Sequence, residues 1–348
     1  MKILSFETSC DETAVAVTED GRRVLSNAVA SQVPVHALYG GVVPEIASRA
    51  HTEAITALTA RALSDARCAR SDIDAVAVTY APGLIGALLV GVSFAKSMAL
   101  ALGVPLIPVH HIRGHIAANY LAFPELEPPF LSLAVSGGNT LLVDVRDYTR
   151  MTVLGSTRDD AAGECFDKAA RVLGLPYPGG KPIEELARGS SGGVYKLPAA
   201  HVDGAPLDMS FSGLKTAVVN LAHHAEQTGE PLDRAALARD FIAAVSQTLV
   251  PRAMEAARRS GRRTLCAAGG VAANAFIRRD LLEACDRAGI RLYLPPLSLC
   301  GDNAAMIGAQ AYYEYLAGHT ADMRLNAYAT RDIAADPPEK SVDKPERL

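Results

Sequence analysis

Two segments that lie far apart in the chain follow the same pattern. Residues 3–17 read ILSFETSCDETAVAV, and residues 131–145 read LSLAVSGGNTLLVDV. In each, an apolar strand leads into a tight polar turn and then into a second apolar strand. The repetition predicts a fold of two related lobes, although two unrelated β-hairpins would give the same pattern. Turns of this composition expose successive backbone N–H groups, which suits phosphate oxygens.

Short apolar runs alternate with longer helical patterns along the chain, which predicts an α/β fold. A chain of 348 residues is long enough to form two lobes. We expect the first lobe at residues 1–110, with a helix near 303–318 packing back onto it, and the second at 111–302, with loops near 177–207. The polar segment 321–348 predicts a disordered tail. Strands are predicted at 3–6, 14–18, 75–79, 106–109, 131–135, 141–145, 264–268 and 291–294, and helices at 43–65, 85–102, 161–173, 232–260, 274–288 and 303–316.

Composition narrows the class of protein. Six cysteines are scattered without a C-x-x-C pair, which disfavours cysteine metal sites and indicates the reducing cytoplasm. No leader sequence is evident at the start. The most apolar stretch, residues 84–109, contains Lys96 and several Gly and Pro residues, so we predict a buried helix and strand and no membrane contact. The net charge of −4 argues against gripping nucleic acid through bulk charge.

A histidine pair is the strongest candidate for metal binding. In HHIRGH, His111 and His115 are four residues apart, so on a helix their imidazoles share one face and can converge on one ion. His110 points elsewhere under the same geometry. Structural histidines would give the same spacing. A zinc protease of the H-E-x-x-H type is disfavoured, because Ile112 stands where the catalytic Glu would be.

Asp302 is the candidate for a third metal ligand. It lies in the loop CGDN, between two prolines and a helix. The alternative is that Asp302 or Asn303 simply caps that helix. Two imidazoles and one carboxylate with open positions would suit Fe(II) or Zn.

Three further regions could hold a nucleotide. Residues 135–140, VSGGNT, form a candidate phosphate turn, and residues 264–274, TLCAAGGVAAN, place paired glycines between a strand and a helix. Residues 159–167 and 177–180 add carboxylates and glycines. Ordinary strand–helix packing and helix-start acids are the alternatives. Three acidic residues, Glu7, Asp11 and Glu12, crowd the first turn, where they could orient a metal or a reacting amine.

Taken together, these motifs resemble one family, the tRNA adenosine threonylcarbamoyltransferases, in their bacterial branch. The matching stretches occur in family order and cover residues 1 to about 318. They are ETSCDET (7–13), YGGVVPEIASRAH (39–51), PGLIGALLVG (82–91), HHIRGH (110–115), VSGGNT (135–140), DDAAGECFDK (159–168), YPGG (177–180), FSGLKT (211–216), GGVAAN (269–274) and GDNAAM (301–306).

The resemblance implies a two-lobed fold like that of actin, Hsp70 and sugar kinases (ASKHA), with the site in the cleft between the lobes. It implies transfer of a threonylcarbamoyl group from threonylcarbamoyl-AMP to the exocyclic amine of the adenosine next to the anticodon, in tRNAs that read codons beginning with A. One divalent metal, Fe(II) with Zn as the alternative, would be held by His111, His115 and Asp302. Glu12 is a candidate for orienting the amine. The nucleotide would be held by Ala134, Val135, Ser136, Gly137, Gly138, Asp167, Gly180 and Asn274.

The resemblance also implies helper proteins, namely a nonenzymatic relative of the same fold, a small ATPase and the enzyme that forms the donor. Three positions depart from the family pattern, since Asn139, Ala81 and Lys181 stand where His, Gly and Pro are common. Asn139 is a poorer ligand than His. The alternative functions are an ATPase or small-molecule kinase of the same fold, which would not require the paired histidines, and a tRNA-binding scaffold, which the acidic net charge disfavours.

Overall fold

The computed structural model describes residues 1–199, 202–335 and 338. A first five-stranded sheet has the order β3-β2-β1-β4-β5. Strands β1, β2 and β3 are antiparallel neighbours, whereas β1, β4 and β5 run parallel. The carboxyl ends of these three parallel strands therefore meet at one edge of the sheet. Its strands are β1 (Lys2–Glu7), β2 (Glu12–Glu19), β3 (Arg23–Ser31), β4 (Ala75–Ala81) and β5 (Leu106–His110).

The second sheet repeats this arrangement, with the order β10-β9-β6-β7-β8. Strands β6, β7 and β8 are antiparallel neighbours, and β6, β9 and β10 run parallel. The two segments of shared sequence pattern form the hairpins β1–β2 and β6–β7, which confirms the predicted duplicated α/β fold. The strands are β6 (Phe130–Val135), β7 (Thr140–Val145), β8 (Met151–Ser156), β9 (Thr264–Ala268) and β10 (Arg291–Tyr293).

Two helices form the layer between the sheets. The helix α4 (His111–Ala122) follows β5 and contacts β6 and β9, whereas α10 (Ala304–Leu316) follows β10 and contacts β1, β2 and β5. They also pack against each other, and glycines allow the close approach. A Cβ on Gly114 of α4 would lie 2.7 Å from Ile307 Cδ1 of α10, and one on Gly308 would lie 2.3 Å from Thr18 Oγ1. Each helix follows the fifth strand of its sheet, so the two occupy equivalent places in the duplicated fold.

Eight further α-helices complete the described part of the chain. In the first half of the chain they are α1 (Val33–His36), α2 (Pro44–Asp65) and α3 (Ile85–Leu102). In the second half they are α5 (Ala162–Val172), α6 (Gly180–Ala187), α7 (Ser212–Thr228), α8 (Arg234–Ser260) and α9 (Ala275–Ala288). Helix α3 alone among the described helices has the length and apolar composition of a membrane span, and about a third of it is buried (33%). Because a core helix has the same composition, this is weak evidence for a membrane. The prediction of a buried helix holds only for the face that packs on β4 and α2.

The structure corrects three expectations. The edge strands β3 and β8 and the helix α7 were not predicted, because their apolar residues are few and interrupted by polar ones. The segment 177–207 is not all loop, since it contains α6, whose Ile183 and Ala187 are buried in the core. Residues 200 and 201 lie outside the described part of the chain.

The tail is ordered further than expected. Ala321 pairs with Leu106 beside the first sheet, and Leu325 and Ala327 are buried in the first lobe's core. Ile333 is buried near α4. The prediction of disorder is therefore wrong for residues 321–335, because apolar residues spaced along this polar segment pack against the core. Residues 336, 337 and 339–348 lie outside the described residues.

Candidate active site

Both candidate histidines lie at the edge of the first sheet where β1, β4 and β5 end. His111 is the first residue of α4 and His115 lies one helical turn further on, so both rings share one face. Asp302 lies in the loop just before α10. Because α4 and α10 pack together, their first turns bring residues that are far apart in sequence to the same place.

The three predicted metal ligands converge. One ligand atom from each of His111, His115 and Asp302 lies within 4.8 Å of the others. Asp302 Oδ1 is 3.5 Å from His111 Nε2 and 3.1 Å from His115 Nε2. Both histidines are buried, whereas 19% of the Asp302 side chain is exposed.

His115 shows why this group fits a cation. Its Nδ1 and Nε2 are buried, and neither nitrogen has a hydrogen-bond partner among the described residues. The 3.1 Å contact with Asp302 Oδ1 is not aligned as a hydrogen bond. Leaving a buried polar atom without a partner costs about 1–3 kcal/mol. A divalent ion between the imidazoles and the carboxylate would remove part of this cost, and two nitrogens with one carboxylate are a usual ligand set for Fe(II) or Zn.

Asn303, not Asp302, caps α10. The Asn303 Oδ1 accepts a hydrogen bond of 3.0 Å from the backbone N–H of Met306, and its Nδ2 donates to the Gly301 carbonyl. The capping role that the sequence left open between the two residues therefore falls to Asn303. Asp302 is left to face the histidines.

Glu7 orients the His111 ring through its Nδ1, on the side of the ring away from Asp302. The buried Glu7 Oε2 accepts hydrogen bonds from His111 Nδ1 at 2.9 Å and from Thr79 Oγ1 at 2.6 Å, and Oε1 accepts one from Ser9 N at 2.6 Å. With Nδ1–H committed to Glu7, a neutral His111 presents the lone pair of Nε2 towards Asp302. Carboxylate–histidine pairs of this kind fix the ring of a metal ligand. The sequence grouped Glu7 with the acidic turn but gave no sign of Thr79, which pairing of β1 with β4 brings close.

The charges of this group do not cancel in the metal-free protein, because two carboxylates flank one imidazolium. Burial lowers the pKa of His111, but the charges of Glu7 and Asp302 outweigh it and raise that pKa to about 9. Burial raises the pKa of Asp302, yet His111 and His115 bring it down to about 2. The pKa of Glu7 is also lowered, because His111 outweighs the effect of burial. An imidazolium held between two carboxylates shows that this pocket favours positive charge.

His110 has a separate, structural place. Its Nδ1 accepts a hydrogen bond of 3.2 Å from Ile112 N, which caps α4, and its Nε2 lies 3.1 Å from the Arg331 carbonyl. Burial lowers the pKa of His110 to about 3. It is a neutral cap and does not join the three ligand candidates.

The acidic turn after β1 faces both lobes. Glu12 Oε1 accepts a hydrogen bond of 3.1 Å from Ser31 Oγ. Burial, then Asp302 and Asp11, raise the pKa of Glu12 to about 9. Asp11 Oδ2 accepts a hydrogen bond of 3.2 Å from the Tyr177 hydroxyl, which belongs to the second lobe. The turn therefore joins the candidate metal centre to the second lobe.

The corresponding edge of the second sheet carries a turn of bare backbone. Ala134 and Val135 end β6, and Ser136 to Gly138 form the turn to β7, closed by a 2.8 Å hydrogen bond from Ser136 N to the Asn139 carbonyl. Gly137 and Gly138 are exposed, and a Cβ on either would meet no atom within 4 Å. A Cβ on Gly163 of α5 would lie 2.5 Å from the Ser136 carbonyl oxygen. The turn thus packs tightly against α5 on one side and is open on the other.

Two further nucleotide candidates, Asp167 and Gly180, lie on the contacting helices α5 and α6. Asp167 Oδ1 accepts a 2.7 Å hydrogen bond from Gly179 N, and Gly180 begins α6. Burial raises the pKa of Asp167 to about 6. Gly269 has φ +89°, and a Cβ there would lie 2.4 Å from the Val135 carbonyl oxygen, so glycine is required.

Asn274 both caps a helix and keeps a donor free. Its Oδ1 accepts hydrogen bonds from Phe276 N and Ile277 N at the start of α9, at 3.1 and 3.2 Å. Its buried Nδ2 has no partner among the described residues. Gly163 and Gly269 pack against the end of β6 and its turn, and Tyr177 connects the second lobe to the acidic turn.

Comparisons with known proteins identify the family of this chain. A family model described as tRNA N6-adenosine threonylcarbamoyltransferase matches residues 23–309. A tRNA N6-adenosine threonylcarbamoyltransferase of Moorella thermoacetica is 56% identical over 93% of this chain and 95% of that protein. One from Clostridium perfringens is 49% identical over 93% of this chain and 96% of that protein.

Solved structures share the fold at low identity. HypF of T. kodakarensis aligns with a TM-score of 0.62 and 16% identity over 91% of this chain and 48% of that one. Component A of the (R)-2-hydroxyglutaryl-CoA dehydratase of Acidaminococcus fermentans aligns with a TM-score of 0.53 and 15% identity over 91% of this chain and 99% of that one. These likenesses support the two-lobed fold alone.

Proposed function

The chain belongs to the tRNA N6-adenosine threonylcarbamoyltransferase family, and from that premise we propose that it forms threonylcarbamoyladenosine in tRNA with the help of a metal held by His111, His115 and Asp302. The acceptor is the adenosine 3′ to the anticodon in cytoplasmic tRNAs that read codons beginning with A. The donor is threonylcarbamoyl-AMP. The observation that carries the proposal is the convergence of two buried imidazoles and a carboxylate, with His115 left without hydrogen bonds.

The reaction needs positioning more than a protein nucleophile. The donor is a mixed anhydride and is already activated, so the adenosine amine attacks the carbamoyl carbon. A C–N bond forms, the C–O bond to AMP breaks and the amine loses a proton. The protein must hold the amine against the carbonyl and stabilise the charge that develops on its oxygen. When bound, the metal would supply Lewis-acid polarisation of a donor oxygen.

The second lobe would hold the nucleotide part of the donor. The open backbone of Ser136, Gly137 and Gly138 suits its phosphate, and the unpartnered Nδ2 of Asn274 suits an acceptor on the sugar or base. Asp167 and Gly180 line the same place. Tyr177, which donates to Asp11, links this region to the acidic turn, where Glu12 would orient the reacting amine.

The proposal includes helper proteins, and it is weighed against one alternative activity. We expect a nonenzymatic relative of the same fold, a small ATPase and the donor-forming enzyme to act with this chain, since its net charge of −4 gives weak general attraction for RNA. An ATPase or small-molecule kinase of the same fold would use the phosphate turn alone. Such an activity does not require the buried pair of imidazoles, so the transferase function is favoured.

Two adjacent residues test the metal site. Replacing Asp302 with alanine should sharply lower metal content and threonylcarbamoyladenosine formation, because it removes the carboxylate of the ligand set. Replacing Asn303 with alanine should cost about 1 kcal/mol of stability through loss of the α10 cap and leave the bound metal in place. Elemental analysis after loading with Fe(II) or Zn measures the metal content of each variant. The threonylcarbamoyladenosine formed in tRNA from supplied donor measures its activity. A folded Asp302→Ala variant with parental metal content and product would exclude the proposed ligand role.

Glu12 gives a pH-dependent prediction for the metal-free protein. Its pKa rises from 4.5 to about 9 on folding. Between these values the folded chain keeps a proton that the unfolded chain releases, so stability falls as pH rises through this window. Glu12→Gln does not titrate. The variant should therefore melt at a higher temperature than the parent, and the difference should grow from pH 5 to pH 8 in chelator-treated samples. If the melting temperatures of Glu12→Gln and the parent differed by the same amount at every pH, the raised pKa of Glu12 would be contradicted.

A further inference from the structure

Residues 32–43 leave the first sheet beside the acidic turn. Strand β3 ends at Ser31, directly opposite Glu12 on β2. The next residue, Gln32, donates a 2.9 Å backbone hydrogen bond to the Asp11 carbonyl. The segment therefore starts at the edge that carries the candidate active site, next to the residue proposed to orient the amine.

Buried histidines fix both ends of this segment. His36 Nδ1 accepts a hydrogen bond from Val43 N at 3.3 Å, so its Nε2 donates to Gln32 Oε1 at 3.0 Å. His51 of α2 accepts a 3.3 Å hydrogen bond at Nδ1 from Gln32 Nε2. The His51 Nε2 donates a 2.9 Å hydrogen bond to the Cys10 carbonyl in the acidic turn. The base of the segment is thus tied to the active-site turn through buried imidazoles.

The tip of the segment is tight and exposed. Gly40 has φ +70° and donates to the Ala37 carbonyl, which folds the chain back on itself. Leu38 and Tyr39 stand out from it with 83% and 56% of their surface exposed. The Tyr39 ring forms no hydrogen bond or ring contact with another described residue. A rigid base with a free aromatic ring at its tip is suited to binding, because little further ordering is needed.

A free cation from the other lobe lies beside this tip. A Cβ on Gly40 would lie 3.6 Å from Cζ of Arg171, which belongs to α5 of the second lobe. The Arg171 guanidinium is exposed and forms no ion pair within the described part of the chain. The second lobe therefore places a guanidinium against Gly40, the residue that follows the exposed Tyr39.

We propose that Tyr39 and Arg171 bind the anticodon loop of the tRNA, with Tyr39 stacked on an unpaired base and Arg171 paired with a backbone phosphate. This rests on the proposed function, which brings a single-stranded RNA loop to this edge. Aromatic rings and guanidinium groups are the usual partners of unstacked bases and phosphates in RNA. In a chain with net charge −4, attraction for RNA must come from such local groups.

The test compares neighbouring variants in full-length protein with helper proteins saturating. Tyr39→Ala should raise the KM for tRNA roughly 5- to 150-fold, the range for loss of one stacked base, with kcat and the KM for donor little changed. Tyr39→Phe keeps the ring and should behave as the parent. Leu38→Ala, at the more exposed neighbour, should also leave the KM for tRNA unchanged. Arg171→Ala should weaken binding of the isolated anticodon stem–loop and lower the slope of log affinity against log salt by about 0.7.

Each outcome separates the alternatives. A parent enzyme that forms no threonylcarbamoyladenosine would refute the proposed function, whereas an active parent with an unchanged KM for tRNA in Tyr39→Ala would overturn only this inference. If Tyr39→Ala needed a higher helper-protein concentration than the parent to reach saturation, or if Leu38→Ala lost activity equally, the tip would be a protein-docking surface and the RNA contact would be wrong. A raised KM in Tyr39→Ala, rescued by Tyr39→Phe, supports it.

Discussion

Replacing both His111 and His115 with alanine is expected to abolish specific metal binding and to reduce threonylcarbamoyladenosine formation by more than about 100-fold. Loss of a residue that only supports a metal ligand typically costs 10- to 100-fold in affinity or activity, so loss of two ligands should exceed that range. Both rings are buried within 4.8 Å of the Asp302 carboxylate. Elemental analysis and product formation with supplied threonylcarbamoyl-AMP measure the two effects.

Two further variants make this result specific. Glu7→Gln removes the charge that holds His111 Nδ1 and should weaken metal binding about 10- to 100-fold, less than the double variant. His110→Asn lies in the same motif but replaces a helix cap with another good cap, and should keep the parental metal content. A double variant that lacks metal yet forms product at the parental rate would remove the metal from the mechanism.

The duplicated fold could be predicted because its strongest signal is local. The hairpins β1–β2 and β6–β7 are continuous in sequence, so their strand–turn–strand pattern is visible without knowledge of the fold. Strands β3 and β8 lie at sheet edges, where one face meets solvent and few apolar residues are needed. Residues 321–335 read as polar because the residues that anchor them, such as Leu325 and Ile333, are isolated from one another.

The site could be predicted only in part, because its geometry depends on contacts between distant residues. Spacing alone paired His111 with His115, but Asp302 stayed open between ligand and helix cap until the position of Asn303 was known. Thr79 hydrogen-bonds Glu7 because β1 and β4 are neighbours in the sheet, which no spacing in the sequence shows. The place of Arg171 beside Gly40 depends in the same way on how the two lobes pack.

The helix that carries the histidines is itself held by a buried ion pair, which leads to the second large effect. Arg113 lies between the two histidines on α4 and is fully buried against Glu314 of α10, with Nη1 2.9 Å from Oε1. Its Nε and Nη2 donate to the carbonyls of Ile333 and Ala335, at 2.9 and 3.2 Å. One side chain thus joins α4, α10 and the tail segment at Ile333 and Ala335.

Arg113→Met is expected to lower the free energy of unfolding by about 3–5 kcal/mol, because it leaves the Glu314 carboxylate buried without its cation. The loss of unfolding free energy should be near the lower end of this range of about 3–5 kcal/mol. Gln310 Nε2 and His319 Nδ1 still contact the Glu314 carboxylate, at 2.8 and 2.6 Å. Urea unfolding measures it. Arg113→Met combined with Glu314→Gln should be more stable than Arg113→Met alone, because no unpaired charge remains. If the single variant lost less than about 1 kcal/mol, or the double variant were no more stable than the single one, the stability would come from packing and not from the ion pair.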